Sequence, residues 1–192
     1  MLKIHCPNDK FGSDGVNLPN ILTVFRIFLI PLSTFLILYN TKTTLIYGLI
    51  VFCIASITDF LDGWIARKYK LISAFGKFLD PIADKLLILC TLFALTALTV
   101  IPAWLGIIIL FRELLVDGLR LVAVEKGEVI VASKLGKIKT IFQMIFVISY
   151  LVHCISPLPM LYLNCNTFMV VLFTIWSAID YFVKNRQVFS KK

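Results

Sequence analysis

The chain has 192 residues, of which 59% are hydrophobic, with a mean hydropathy of +0.93 and a formal net charge of +8. A water-soluble domain of this length does not carry so much apolar side chain, so a soluble globular enzyme is excluded and lipid is the solvent. The length suits about six helices of roughly 20 residues with short connections, hence one compact all-α membrane domain, and no linker, low-complexity tract or internal repeat divides it.

In chain order, residues 1–17 read as a loose polar tail, because Asp9, Gly12, Asp14 and Gly15 spoil any apolar core of a cleavable signal peptide. Pro19 and Asn20 mark a helix start, and Asn20, Thr23 and Arg26 then recur at three-residue steps on one side. Two explanations stay open: Arg26 snorkels from the first span to the interface, or these residues form a polar lip beside a buried site. The first span is expected over 21–39 with a kink at Pro31, and the second over 45–58. A third follows over 81–100, where Asp80 and Pro81 are either an N-cap with a first-turn proline or a kink inside a longer helix. Further spans are expected over 103–124, 138–154 and 161–183, so that the membrane domain covers 18–184 and a basic tail covers 185–192.

From the end of the second span to the start of the third come Asp59, Asp62, Asp80 and Asp84, four of the chain's eleven acidic residues. Each carboxylate taken to membrane depth costs roughly 2.5 kcal/mol or more, so the group needs a strong compensating partner. Asp59 and Asp62 are three apart and Asp80 and Asp84 four apart, so each pair projects from one face of its helix if the spans continue into this stretch. Two such faces make a four-carboxylate cup, and all-oxygen ligation suits a hard divalent ion, Mg²⁺ or Mn²⁺. Gly63 and Gly76 leave room for a bulky ligand beside the acids, and Arg67 offers a planar fork for phosphate oxygens.

Asp59, Asp62, Gly63, Ala66, Arg67, Gly76, Asp80 and Asp84 complete the pattern D-x2-D-G-x2-A-R-x8-G-x3-D-x3-D, which resembles the signature of the CDP-alcohol phosphatidyltransferases. With Leu18, Pro19, Asn20, Thr23, Arg26, Lys85, Arg112, Glu113 and the run from Ser133 to Thr140, the chain is most similar to the branch that makes phosphatidylglycerophosphate. The resemblance implies a six-helix membrane fold, commonly a homodimer. It also implies transfer of the phosphatidyl group from CDP-diacylglycerol to sn-glycerol 3-phosphate with release of CMP, aided by Mg²⁺ or Mn²⁺, two ions in all. By the same analogy Asn20, Thr23, Gly63, Ala66, Arg67 and Gly76 line the CDP pocket. Asp84 is then the general base nearest the acceptor hydroxyl.

Lysine and arginine placement sets the expected orientation. With an inner N-terminus and six spans, the inner segments collect nearly all the positive charge, from Lys3 and Lys10 through Arg67, Arg120 and Lys137 to Lys192, and the outer loops hold only Lys42. Both termini and the acidic cup are therefore expected at the cytoplasmic face of the cell (inner) membrane, in contact with anionic lipid, and nucleic acid is not the expected partner. On the same side Arg112, Glu113, Asp117 and Arg120 share a helix face, and Lys137 and Lys139 open the next span. Arg112, Arg120, Lys137 and Lys139 are the candidates to hold the acceptor's phosphate, while an ion-pair ladder on that face remains open for Arg112, Glu113 and Asp117.

Two other functions fit the composition. A sister enzyme with inositol phosphate, serine or phosphatidylglycerol as acceptor would differ only in this second pocket. A small cation transporter would also use intramembrane acids, but it has no use for Arg67, and the acids gather at one face. The five cysteines lack metal-ligand spacing, with Cys154 and Cys165 a conceivable pair, and His5 and His153 read as bystanders.

Overall fold

The computed structural model describes residues 18–69, 74–125 and 134–186, without the side chains of 18–20, 60, 62–69, 74–78 and 134. The described residues form six helices: α1 (Leu18–Leu38), α2 (Lys42–Tyr69), α3 (Ala74–Ala97), α4 (Ala103–Glu125), α5 (Lys134–Ile155) and α6 (Met160–Lys184). Helix α1 packs on α2 and α3, α5 packs on α6, α4 touches α3 and α6, and α2 and α3 close the bundle against α5. Phe52, Leu92, Leu95, Ile109, Phe146, Leu151 and Leu163 meet in its core.

Phe28, Phe35, Ile107, Phe111, Leu121, Phe168 and Trp176 point outward and exposed, an apolar belt that only lipid covers without penalty. Hydroxyls along the helices are satisfied locally, as where Thr34 donates to the Ile30 carbonyl, Thr91 to Leu87 and Thr96 to Leu92. That is the economical choice where no water is available.

Four segments are long and apolar enough to cross a membrane, namely Ile21–Leu38, Lys42–Asp59, Leu135–Ile155 and Met160–Lys184. The expectation of six spans is thus met by six helices but by only four on length and apolarity among the described residues. The physical reason is charge: α3 carries Asp80, Asp84 and Lys85, and α4 carries Arg112, Glu113, Asp117 and Arg120.

Two expected boundaries are corrected. The second helix does not stop at Thr58 but continues to Tyr69, and the third begins at Ala74 with Pro81 inside it, so the Asp80–Pro81 pair is internal rather than a cap. Both acidic pairs therefore ride on helices that extend past the apolar core. The pairing of Cys154 with Cys165 is not made, since both are free thiols. His153 is structural, its Nδ1 accepting the Leu158 N–H at 3.0 Å in the α5–α6 turn.

The α1–α2 contact is close because of one glycine. A Cβ on Gly48 would stand 2.9 Å from Ile37 Cγ1, and the Gly48 carbonyl accepts the Ser33 hydroxyl at 3.0 Å. By contrast, a Cβ on Gly106 of α4 would find its nearest neighbour at 3.9 Å. Gly48→Ala should therefore cost about 1–3 kcal/mol through overpacking, whereas Gly106→Ala should be neutral or slightly stabilising. Thermal unfolding midpoints of the detergent-solubilised variants check this, and equal shifts at both positions would remove the close-approach explanation.

Candidate active site

The acidic residues gather around α1. Arg26 is fully buried, and its Nη1 lies 2.6 Å from Asp59 Oδ1 on α2 and 2.7 Å from Asp84 Oδ1 on α3. One turn earlier on the same face, Thr23 donates to Asp80 Oδ1 at 2.5 Å. Arg26 therefore does not snorkel to the interface; the polar lip is the arrangement adopted. The reason is that a guanidinium at this depth is stable only against carboxylates, and α2 and α3 present them.

Asp59, Asp80 and Asp84 are thus brought to one place. Among the described residues no group of three acids, histidines or cysteines stands close enough to hold one metal ion. The side chains of Asp62, Asn20, Ala66 and Arg67 and the surroundings of Gly63 and Gly76 are outside what the structure describes, so the expected fourth wall of the cup and most of the CDP pocket lie outside it too.

On the far flank of α3 opens a cavity of about 280 Å³ between α3, α4, α5 and the end of α6. Its walls include Asp84, Lys85, Arg112, Glu113, Asp117, Arg120, Lys137 and Lys139, five cations against three carboxylates. Asp84 belongs to both places, which joins the acidic cluster to the cavity. All four expected phosphate-binding residues are brought together here, but not in equivalent states. Glu113 takes the Lys139 ammonium on Oε1 and Arg112 Nη1 at 3.4 Å on Oε2, and all three are buried. Lys85 is paired with Asp117 across the α3–α4 contact.

The ladder anticipated along α4 is therefore mostly a set of interhelical bonds, because side chains on α3 and α5 offer better geometry than neighbours on the same helix. Lys137 is exposed and, like Arg120, makes no ion pair with a described residue. Arg120 Nε donates to the Tyr181 hydroxyl at 2.8 Å, which leaves its terminal nitrogens for another acceptor. Asp180 and Lys184 pair at 2.7 Å one turn apart on α6, and neither lines the cavity.

Three residues of the cavity had no role read for them in the sequence. Lys85 follows Asp84 directly, Tyr181 follows Asp180, and Gln143 stands alone in the apolar run of α5. Only Gln143 carried a signal, being a polar residue four positions from Lys139 on a helix that is otherwise apolar on that face.

An acidic cluster carried by two helices stands beside a basic cavity, and the comparison with known families bears on the motif that supplies the acids. The profile described as CDP-alcohol phosphatidyltransferase matches residues 16–179. The chain belongs to the CDP-alcohol phosphatidyltransferase family. Within it, the chain is 41% identical over 184 residues to a CDP-diacylglycerol–glycerol-3-phosphate 3-phosphatidyltransferase of Bacillus subtilis (strain 168), covering 88% of this chain and 95% of that one. A protein of the same name from Rickettsia typhi is 47% identical over 137 residues, 71% of this chain and 76% of the other. A probable phosphatidylglycerophosphate synthase of Mycobacterium tuberculosis (strain ATCC 25618 / H37Rv) is 36% identical over 168 residues, 86% and 79% of the two chains. Family, relatives and apolar helices together make this a membrane-bound transferase of phospholipid biosynthesis.

The Arg26 contacts generate a stability prediction. Arg26→Gln removes the shared counter-charge of Asp59 and Asp84, and because both carboxylates are partly open to solvent the loss should be on the order of 2 kcal/mol. Thermal unfolding of the detergent-solubilised variant measures it. An unchanged midpoint would show that α1 is not held by this contact.

Proposed function

We propose that the chain transfers the phosphatidyl group of CDP-diacylglycerol to sn-glycerol 3-phosphate, giving phosphatidylglycerophosphate and CMP, the reaction its relatives are named for. The observation that carries the acceptor assignment is the cavity: its walls, Asp84 included, carry five cations against three carboxylates, as a phosphate monoester with a reacting hydroxyl requires. In this reading Arg120 and Lys137 hold the acceptor's phosphate, with Lys139 and Arg112 fixed behind them by Glu113. Asp84 accepts the proton of the attacking hydroxyl. The new bond joins that oxygen to the phosphorus bearing the diacylglycerol, and the phosphoanhydride bond to CMP breaks.

A hard divalent ion suits these donors by type, since Asp59 and Asp84 both meet Arg26, Thr23 holds Asp80 one turn away, and all three offer carboxylate oxygen alone. Asp59, Asp62, Asp80 and Asp84 would hold Mg²⁺ or Mn²⁺, two ions in the reading preferred here. Bound metal would screen the pyrophosphate and stabilise charge on departing CMP. Thr23 and Arg26 position the carboxylates, while Asn20, Gly63, Ala66, Arg67 and Gly76 line the nucleotide pocket.

All six helices cross the membrane in this proposal, with α3 and α4 accepted because their charges face one another inside the bundle. The positive charges put both termini and the site at the cytoplasmic face of the cell membrane, near anionic lipid. Assembly as a homodimer follows the family resemblance.

The decisive experiment offers purified protein, CDP-diacylglycerol and Mg²⁺ each acceptor separately and follows CMP release. Release should require sn-glycerol 3-phosphate, stop in EDTA, and fall at least about a hundredfold in Asp80→Asn. Turnover with inositol phosphate, serine or phosphatidylglycerol instead would reassign the acceptor, and full turnover in EDTA would end the metal proposal.

Lys137→Ala tests the phosphate role separately. Loss of one charged hydrogen bond should lower kcat/KM for sn-glycerol 3-phosphate about tenfold to a hundredfold and leave the CDP-diacylglycerol KM unchanged. Were Lys137 only a topology marker, acceptor kinetics in a correctly inserted variant would not move.

A further inference from the structure

Gln143 lines the cavity, and neither the acidic cluster nor the phosphate-binding cations use it. It is 2% exposed, and its Nε2 has no hydrogen-bond partner among the described residues. It stands on α5 one turn beyond Lys139 and two turns beyond Gly136, on the face that forms the cavity wall. The next residues on that face, Phe146 and Val147, are fully buried in the apolar core. Gln143 is therefore the last polar group of α5 before the core closes.

The neighbouring walls at this depth are apolar. Ile88 lies one turn beyond Asp84 on α3, and Ile109 one turn beyond Arg112 on α4, each further from the charged end of the cavity. A buried amide N–H left unpaired among such groups is unfavourable, and a leucine of similar size would remove the cost. The amide thus needs a partner that enters the cavity.

We propose that the Gln143 carboxamide is a specificity-determining group that reads the polyol part of the acceptor. With the phosphate held by Lys137 and Arg120 and the reacting primary hydroxyl facing Asp84, Nε2–H donates to the acceptor's secondary hydroxyl. The inference rests on the glycerophosphate reading above and extends it. A site built to pair a buried donor with a substrate hydroxyl rejects the analogue lacking that hydroxyl, because the donor is then stranded.

The test compares sn-glycerol 3-phosphate with 3-hydroxypropyl phosphate, which keeps the phosphate and the primary hydroxyl but lacks the secondary one. The full chain, with CDP-diacylglycerol and Mg²⁺, should prefer sn-glycerol 3-phosphate about tenfold to a hundredfold in kcat/KM. In Gln143→Leu that preference should collapse to within about threefold, by loss of activity on sn-glycerol 3-phosphate alone, with the CDP-diacylglycerol KM unmoved. Gln143→Asn, which withdraws the amide by one methylene, should show the same change in part and serves where the leucine variant does not fold.

A preference fully retained in either folded variant overturns the proposal, including the case in which ordered water satisfies the amide. A purely structural role would lower both acceptors equally and overturns it too. Lys137→Ala in the same assay separates the two levels. If it weakens both acceptors while Gln143→Leu leaves their ratio intact, the phosphate reading stands and this inference fails; if it affects neither, the acceptor reading fails and this inference goes with it.

Discussion

Arg26 is a fully buried guanidinium in the first helix of a bundle whose outer surface is apolar, and its Nη1 touches one carboxylate from α2 and another from α3. An uncompensated charge buried at such a place costs several kcal/mol, and the two carboxylates, though partly open to solvent, lose their shared counter-charge without Arg26. Neither side of the contact can be placed without the other. It follows that α1 is not merely an apolar strut: its polar face, with Thr23 holding Asp80 one turn away, aligns the acidic stretches of α2 and α3.

The second consequence concerns α3. Successive residues on a helix point about 100° apart, so Asp84 and Lys85 leave the helix on different flanks. Asp84 reaches back to Arg26 and also lines the cavity, while Lys85 crosses to Asp117 on α4. One helix thereby separates the acidic cluster from the basic cavity and gives both a wall. That is the geometry a direct transfer between two bound substrates needs, since the attacking oxygen must reach the phosphorus without either ligand leaving its pocket.

Such a cavity is expensive to build in lipid. Glu113 bridges Arg112 and Lys139, all three buried, and Lys85 and Asp117 neutralise each other nearby. Buried ion pairs of this kind add little stability over apolar packing of equal volume, so their value lies in rigidity: they fix the cavity wall and leave Lys137 and Arg120 as the cations there with no ion pair among the described residues. Tyr181, buried against Arg120, plays the same part without charge.

The apolar content, the helical count, the motif and the family were legible in the sequence, because each is a matter of composition or of spacing along one helix. So was the gathering of Arg112, Arg120, Lys137 and Lys139 near the acidic motif, since the ends of consecutive spans must emerge together. Partnerships between helices were not. Spacing left Arg26 free to be an interfacial anchor or part of a polar lip and left Asp80–Pro81 free to begin α3 or to lie within it. The α1–α2–α3 packing and the extension of α3 back to Ala74 decided both. Likewise the sequence could offer Lys137 and Lys139 only as two equal lysines, two residues apart. Being about 200° apart on α5, one turns inward to Glu113 and the other stays exposed, and which does so depends on the rotation of α5 against α4, a property of the packed bundle and of no segment alone.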